Sequence, residues 1–201
     1  MSGASQGQQA TPSQATPVRP RLLEAALEEV AERGMRGATT RRIAERAGVN
    51  EVTIFRRFGS KSALVAEALR NAVGGFGAAA AHPSGDLEKD LEKLALAYWE
   101  FVGANRGAMM RLLPELSRDP SLGHAGGAVM GSAFASLLGL FRHYQEAGVL
   151  VSGEDPESLA LAFLGPLMAR GLLVDSLSLE SSFDAGRYVA GYLDGRREQG
   201  Q

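Results

Sequence analysis

No cysteine occurs among the 201 residues, so neither a disulfide framework nor a thiolate-held metal is available, which fits a reducing, cytoplasmic setting. Histidine is nearly as scarce: His82, His124 and His143 lie far apart, and none shares the short helical spacing that metal sites use. No early stretch joins a basic start to a long apolar run, so no secretory signal is expected. The most apolar run, residues 159–174, is interrupted by Pro166 and Arg170 and is too short to favour a membrane span. Alternating β-branched runs are missing, while alanine, leucine, arginine and glutamate abound, and this composition predicts an all-α protein. Catalytic constellations are missing too: there is no Gly-x-Ser-x-Gly, no metal spacing and no Cys/His pair, so no enzyme and no cofactor is expected. The glycines at 74, 75 and 77 follow no strand, and no glycine directly precedes Lys61, which excludes dinucleotide and P-loop readings.

What is present centres on residues 39–64, TTRRIAERAGVNEVTIFRRFGSKSAL. Thr39 and Thr40 offer N-cap hydroxyls to a short helix whose apolar side is Ile43, Ala44 and Ala47. Gly48 stands where that helix must end and the chain must turn, a position that favours positive φ. Asn50 is a good N-cap for the next helix, whose Val52, Ile54 and Phe55 can pack back on the first. The spacing Ala44, Gly48, Ile54 suits a helix-turn-helix: a small residue for close approach, a glycine for the turn, a branched residue to lock the second helix. Arg41, Arg42, Arg46, Arg56, Arg57 and Lys61 face only Glu45 and Glu51 in this stretch, a local excess of four positive charges in a chain of net charge −2. Such a patch serves to neutralise DNA phosphates, though a charge run is also what a solvated face looks like.

The runs Ile43-Ala44-Glu45-Arg46-Ala47-Gly48-Val49-Asn50 and Thr53-Ile54-Phe55-Arg56-Arg57-Phe58-Gly59-Ser60-Lys61-Ser62-Ala63-Leu64 resemble the signature of TetR-family transcriptional regulators. The Phe58-Gly59-Ser60-Lys61 segment, opening a helix directly after the recognition helix, is the most specific part. The resemblance covers about residues 20–70 and is only architectural beyond. It implies an N-terminal three-helix DNA-binding domain with a helix-turn-helix, followed by a larger helical ligand-binding and dimerisation domain. Two positions depart from the family pattern. Phe55 stands where a tyrosine whose hydroxyl meets a phosphate is usual, and Arg57 where histidine is frequent; the arginine supplies compensating charge.

Within the head, a helix docked in the major groove presents its N-terminal residues to base edges. Asn50, Glu51, Val52 and Thr53 are therefore the candidates for direct readout, with Glu51 suited to a cytosine amino group and Thr53 to a thymine. Thr40, Arg41, Arg42, Arg56, Arg57 and Lys61 suit phosphate positioning, while core packing is preferred for Ile54 and Phe58. The expected division is a disordered tail over 1–18, too poor in large apolar residues to offset its ordering entropy, the helix-turn-helix domain over 19–73, and the helical body over 74–201. Arg19 and Arg21, ahead of a first helix over about 20–33, suit either a phosphate-reaching arm or solvated flanking charge. A third short helix should run to about Val73, and the glycines and alanines of 74–85 read as a mobile boundary.

Further helices are expected over about 86–104, 109–116, 125–147, 159–174 and 182–197. Tyr98, Trp99, Met109, Met110, Leu113, Phe134, Leu138 and Met168 are candidate liners of a largely apolar effector pocket that the family resemblance implies, with core packing as the competing role for each. The helix over 159–174 is apolar all round and so must be buried on all sides. Pairing it and the closing helix with their copies, through Phe163, Leu164, Leu167, Arg170, Val189, Tyr192 and Leu193, makes a four-helix dimer interface; burial in the monomer core is the alternative. The reading is a homodimeric transcriptional regulator, a ligand-released repressor on a roughly palindromic double-stranded DNA operator, with an apolar small-molecule effector and no membrane partner. Its rivals are an enzymatic bundle with an incidental helix-turn-helix and a helical partner-binding protein.

Overall fold

The computed structural model describes residues 17–116, 120–174, 177–178, 182–194 and 196–197, with the side chains of 113, 115–116 and 120–130 left aside. Most of the expected tail, residues 1–16, thus lies outside the described residues. Eight α-helices carry the described chain: α1 (Val18–Gly37), α2 (Thr40–Arg46), α3 (Val52–Phe58), α4 (Lys61–Ala81), α5 (Leu87–Leu116), α6 (Pro120–Glu146), α7 (Pro156–Leu173) and α8 (Ala185–Leu193).

Side-chain caps set most of the starts. Thr39 Oγ1 accepts from the Arg42 amide at 3.3 Å, Ser60 Oγ from that of Ala63 at 3.1 Å, and Asp155 Oδ1 from that of Ser158 at 2.9 Å. Each oxygen satisfies an N–H that has no partner within its own helix. Asp184 does the same for Arg187 at 2.9 Å, so α8 starts three residues later than the sequence pattern suggests.

Two expectations give way to longer helices. The glycines at 74, 75 and 77 do not break the chain; α4 runs through them to Ala81. Helix propensity disfavours each by about 1 kcal/mol relative to alanine, but Val73, Phe76, Ala79 and Ala80 are buried on the same helix and hold it against the body. At Gly77, an added Cβ would come 3.5 Å from Ala133 on α6, so the missing side chain permits close approach. The helices expected over 86–104 and 109–116 are one 30-residue helix, α5, with Pro114 tolerated in its last turn.

Two apolar clusters result. Leu22, Leu23, Ala26 and Val30 of α1, Ile43 and Ala44 of α2, Ile54 of α3 and Leu64 and Val65 of α4 make a head core, and Ala108 and Leu112 of α5 complete it. The body core joins Phe76, Leu91, Leu94, Tyr98, Val102, Leu137, Phe141, Tyr144, Phe163, Leu167, Val189 and Tyr192 from α4 to α8. Helices α4 and α5 each belong to both cores, and that sharing ties the head to the body.

Candidate nucleic-acid interface

The turn between α2 and α3 is closed by backbone bonds: the Gly48 amide donates to Glu45 O at 3.1 Å and that of Val49 to Ala44 O at 2.9 Å. Gly48 has φ +63° and Gly59, after α3, has φ +77°, so both turns use the left-handed conformation that glycine adopts without strain. Glu51, not Asn50, is the N-cap residue of α3 and makes no side-chain cap bond; Asn50, one position earlier, accepts from the Val52 amide through Oδ1 at 3.0 Å.

Helix α3 is anchored by one face. Ile54 is fully buried and Phe58 packs half-buried against the head core. Away from Ile54, Val52 is 67% and Phe55 51% exposed, and Arg56 is exposed one turn on from Val52. Glu51 is held aside: the Thr40 hydroxyl donates to its carboxylate at 2.5 Å, which links the start of α2 to the start of α3. Thr53 is half-buried.

The cations divide into two groups. Arg42, Arg56 and Arg57 are exposed and make no salt bridge among the described residues. Arg41 is exposed but pairs with Glu45 at 2.9 Å, which raises its pKa further. Arg46 serves the head itself, reaching Glu28 at 3.1 Å, Glu29 at 2.8 Å and Glu32 at 2.7 Å on α1. The Arg46 hydrogen bond holds the Glu32 carboxyl below its usual range, and the same contacts raise Arg46. Lys61 is likewise committed. Its ammonium donates to Met35 O and Ala38 O, each at 2.7 Å, where α1 ends and its last carbonyls lack helical partners. Neither fixed cation was separable from the free ones by charge counting. For Arg46 a signal existed, because Glu28 and Glu32 stand one helical turn apart on the acidic side of α1. For Lys61 there was none.

Arg19, at the first turn of α1, pairs with Glu67 of α4 at 2.6 Å and lies over the Phe58 ring, so it braces the head in this arrangement.

The effector and dimer candidates fare differently. Tyr98 is buried edge-on against Phe76 at 5.2 Å, and Trp99 stacks on Phe183 at 5.0 Å. Met109, Phe134, Leu138 and Met168 pack partly buried on the body core, Met110 is half exposed, and the side chain of Leu113 lies outside the described residues. Two of the described cavities are a cleft of about 1110 Å³ between α1, α4 and α5, bordered by Leu27, Asn71 and Asn105, and a groove of about 730 Å³ beside Pro166, Phe183 and Tyr188. None of the eight candidates lines either one. Of the seven interface candidates, Phe163, Leu164, Leu167, Val189, Tyr192 and Leu193 are buried within the single chain, and only Arg170 is exposed. Within the single chain, one apolar face of α7 fills the protomer core. Tyr188 Oη donates to Phe163 O and Tyr192 Oη to Leu159 O at 2.9 Å, so α8 is bonded onto α7 as well as packed on it. The outward face of α7 carries Leu161, Ala162, Pro166, Ala169 and Leu173 instead.

Comparison with known proteins agrees with this geometry. Residues 22–68, from α1 into α4, match the model of the bacterial regulatory proteins of the tetR family. Over residues 22–68 the chain is similar to the TetR family. A curated relative, the uncharacterized HTH-type transcriptional regulator YvkB of Bacillus subtilis, is 41% identical over 75 residues, which are 37% of this chain and 40% of that protein. The matched stretch thus spans about two fifths of the relative's length. Beyond the head the likeness is one of fold. A TetR-family structure from Rhodococcus sp. superposes with a TM-score of 0.74 at 20% identity, covering 89% of this chain and 97% of that one. The regulator FadR of Bacillus subtilis, solved in complex with stearoyl-CoA, superposes at 0.70 with 16% identity, covering 87% and 95%. The all-helical fold of these structures therefore covers most of the chain.

Proposed function

We propose that this protein is a sequence-specific, double-stranded-DNA-binding transcriptional repressor, that it acts as a homodimer, and that a small molecule releases it from its operator. The observation that carries the reading is the state of α3. The helix is locked from behind by Ile54, and it presents an exposed face flanked by Arg42, Arg56 and Arg57, none of them spent on an internal salt bridge. A major groove accommodates a helix of this kind, and phosphates on either side meet the arginines. Thr40 and Arg41 sit at the same edge and add positioning contacts; Lys61 contributes through the shape of the head. No catalytic role enters this reading.

Two copies paired through the outward strip of α7 and the exposed Ala190 and Gly191 of α8 would place two reading heads on successive major grooves about 34 Å apart, on a roughly palindromic site. For the effector, the structural likeness to a stearoyl-CoA-bound FadR favours a molecule with a long apolar part. Such a ligand would part the half-buried Met109, Phe134, Leu138 and Met168, flexible or aromatic side chains that reseat at low cost. It lowers operator affinity only by the extent to which it prefers the non-binding dimer.

Titration of random and of selected duplex DNA at two salt concentrations tests the reading. A regulator keeps its preference for the selected sequence as salt rises, while non-specific affinity falls steeply. Equal decline for both pools would refute it.

A further inference from the structure

The polar readers at the start of α3 are mostly occupied. The Asn50 carbonyl oxygen is taken by the Val52 amide at 3.0 Å and the Glu51 carboxylate by the Thr40 hydroxyl at 2.5 Å, while Thr53 is half-buried. What stands furthest from the head core is apolar. Val52 and Phe55, three residues apart on adjoining positions of the helix surface, are 67% and 51% exposed, whereas Ile54 is fully buried. Residues at that spacing have Cβ atoms about 5–6 Å apart and so present adjoining apolar points on the helix surface. Water gains nothing from such a pair. Folding uses it only in part, since at least half of each residue stays open to solvent. Arg56 beside them and Arg42 and Arg57 at the flanks fix the chemistry of the occupant as a polyanion with apolar points on its surface. In duplex DNA the major groove offers one apolar group, the C5-methyl of thymine.

We propose that Val52 and Phe55 form a methyl-reading ridge and that they, more than hydrogen bonds from Asn50 or Glu51, set sequence preference toward thymine within each half-site. This rests on the DNA-binding reading above and names what that site recognises. Burying one methyl group against an apolar side chain changes affinity about three- to fivefold, so the ridge discriminates by several modest steps and not by one large one.

Replacing thymine by deoxyuridine removes the methyl and leaves every hydrogen-bonding edge unchanged. Duplexes selected by the full-length protein are expected to carry thymine in each half-site, and deoxyuridine at one or two of those positions should weaken binding about three- to fivefold each. In Phe55→Ala or Val52→Ala, overall affinity falls and the penalty at the matching position disappears; Phe55→Leu keeps part of it. Val52 is 67% and Phe55 51% exposed, so all three variants should remain folded, with melting followed by circular dichroism lowered only slightly. Wild-type binding indifferent to deoxyuridine at every position overturns the proposal while leaving specific DNA binding intact. A penalty that persists unchanged in both alanine variants also overturns it, by assigning the methyl contact to another residue. Absence of any preferred duplex overturns both the ridge and the DNA-binding reading on which it stands.

Discussion

The ammonium of Lys61 has two backbone oxygens to satisfy before it meets any phosphate. A charged donor on a carbonyl contributes about 1.5–3 kcal/mol when the alternative is an unmet acceptor. Lys61→Ala should therefore lower the urea midpoint of the protein by the equivalent of about 1–3 kcal/mol, and leave the salt dependence of DNA binding almost unchanged. A flattened salt slope with unaltered stability would return Lys61 to the phosphate contacts. Arg46 follows the same logic with a buried partner, since Glu29 is only 3% exposed. Arg46→Ala leaves that carboxylate with Arg33 alone, at 3.3 Å, and should cost about 1–3 kcal/mol of head stability, discounted for the partial exposure of Arg46. Sequence showed which residues are charged and which turn they surround. It did not show which charges turn inward, because that depends on how α1 crosses α2, and no local pattern encodes the crossing.

Helix by helix, glycines with the same letter have opposite consequences. Gly171 on α7 faces Val102 on α5 so closely that a Cβ would come within 2.5 Å of Val102 Cγ1. Gly171→Ala should destabilise by about 1–3 kcal/mol through overpacking, visible as a lower melting temperature. Gly74 and Gly75 have open space where a Cβ would go and sit inside α4. Alanine at either should stabilise by about 0.5–1 kcal/mol. On α7 the inward and outward faces separate two effects that the apolar sequence had merged. Leu167→Glu buries a charge in the protomer core and should unfold the chain, whereas Leu161→Glu, at a position 58% exposed, should leave melting unchanged and split the dimer in sedimentation. A dimer untouched by Leu161→Glu places the interface elsewhere. The helix start at Thr39 was legible from its cap. The continuity of α4 and α5 was not, because tertiary burial outweighed propensity at the glycines and at Pro114.

Over the molecule as a whole, the tyrosines report on folding. All four, Tyr98, Tyr144, Tyr188 and Tyr192, are pushed up by burial, the first three to about 12. Tyr144 also donates to the Asp90 carboxylate at 2.6 Å, whose charge opposes a second one beside it. The unfolded chain therefore loses its phenolic protons first, near pH 10, and stability present below that pH drains away as the solution approaches 12. Tyrosinate absorbance and loss of helical circular dichroism should rise together in one alkaline transition; a separate, earlier tyrosinate step would contradict the buried placement. At this scale the reading head was the legible part, since its turn chemistry, caps and spacing are local. The effector space and the pairing surface were not. An apolar helix announces that it is covered, but whether by its own chain, a copy or a ligand is decided by neighbours on other helices, as Phe163 of α7 and Tyr192 of α8 show by meeting Phe141 of α6 at 6.1 and 6.3 Å.

The unbroken α4 has a mechanical corollary. Its 21 residues make a rod about 31 Å long at 1.5 Å per residue, seated in the head core at Leu64 and in the body at Phe76. Pivoted at one end by about 5°, a rod of that length sweeps its other end through about 3 Å, close to the rise between stacked base pairs. A rearrangement too small to disturb the packing around Phe76 is thus enough to carry α3 one step out of register with its groove.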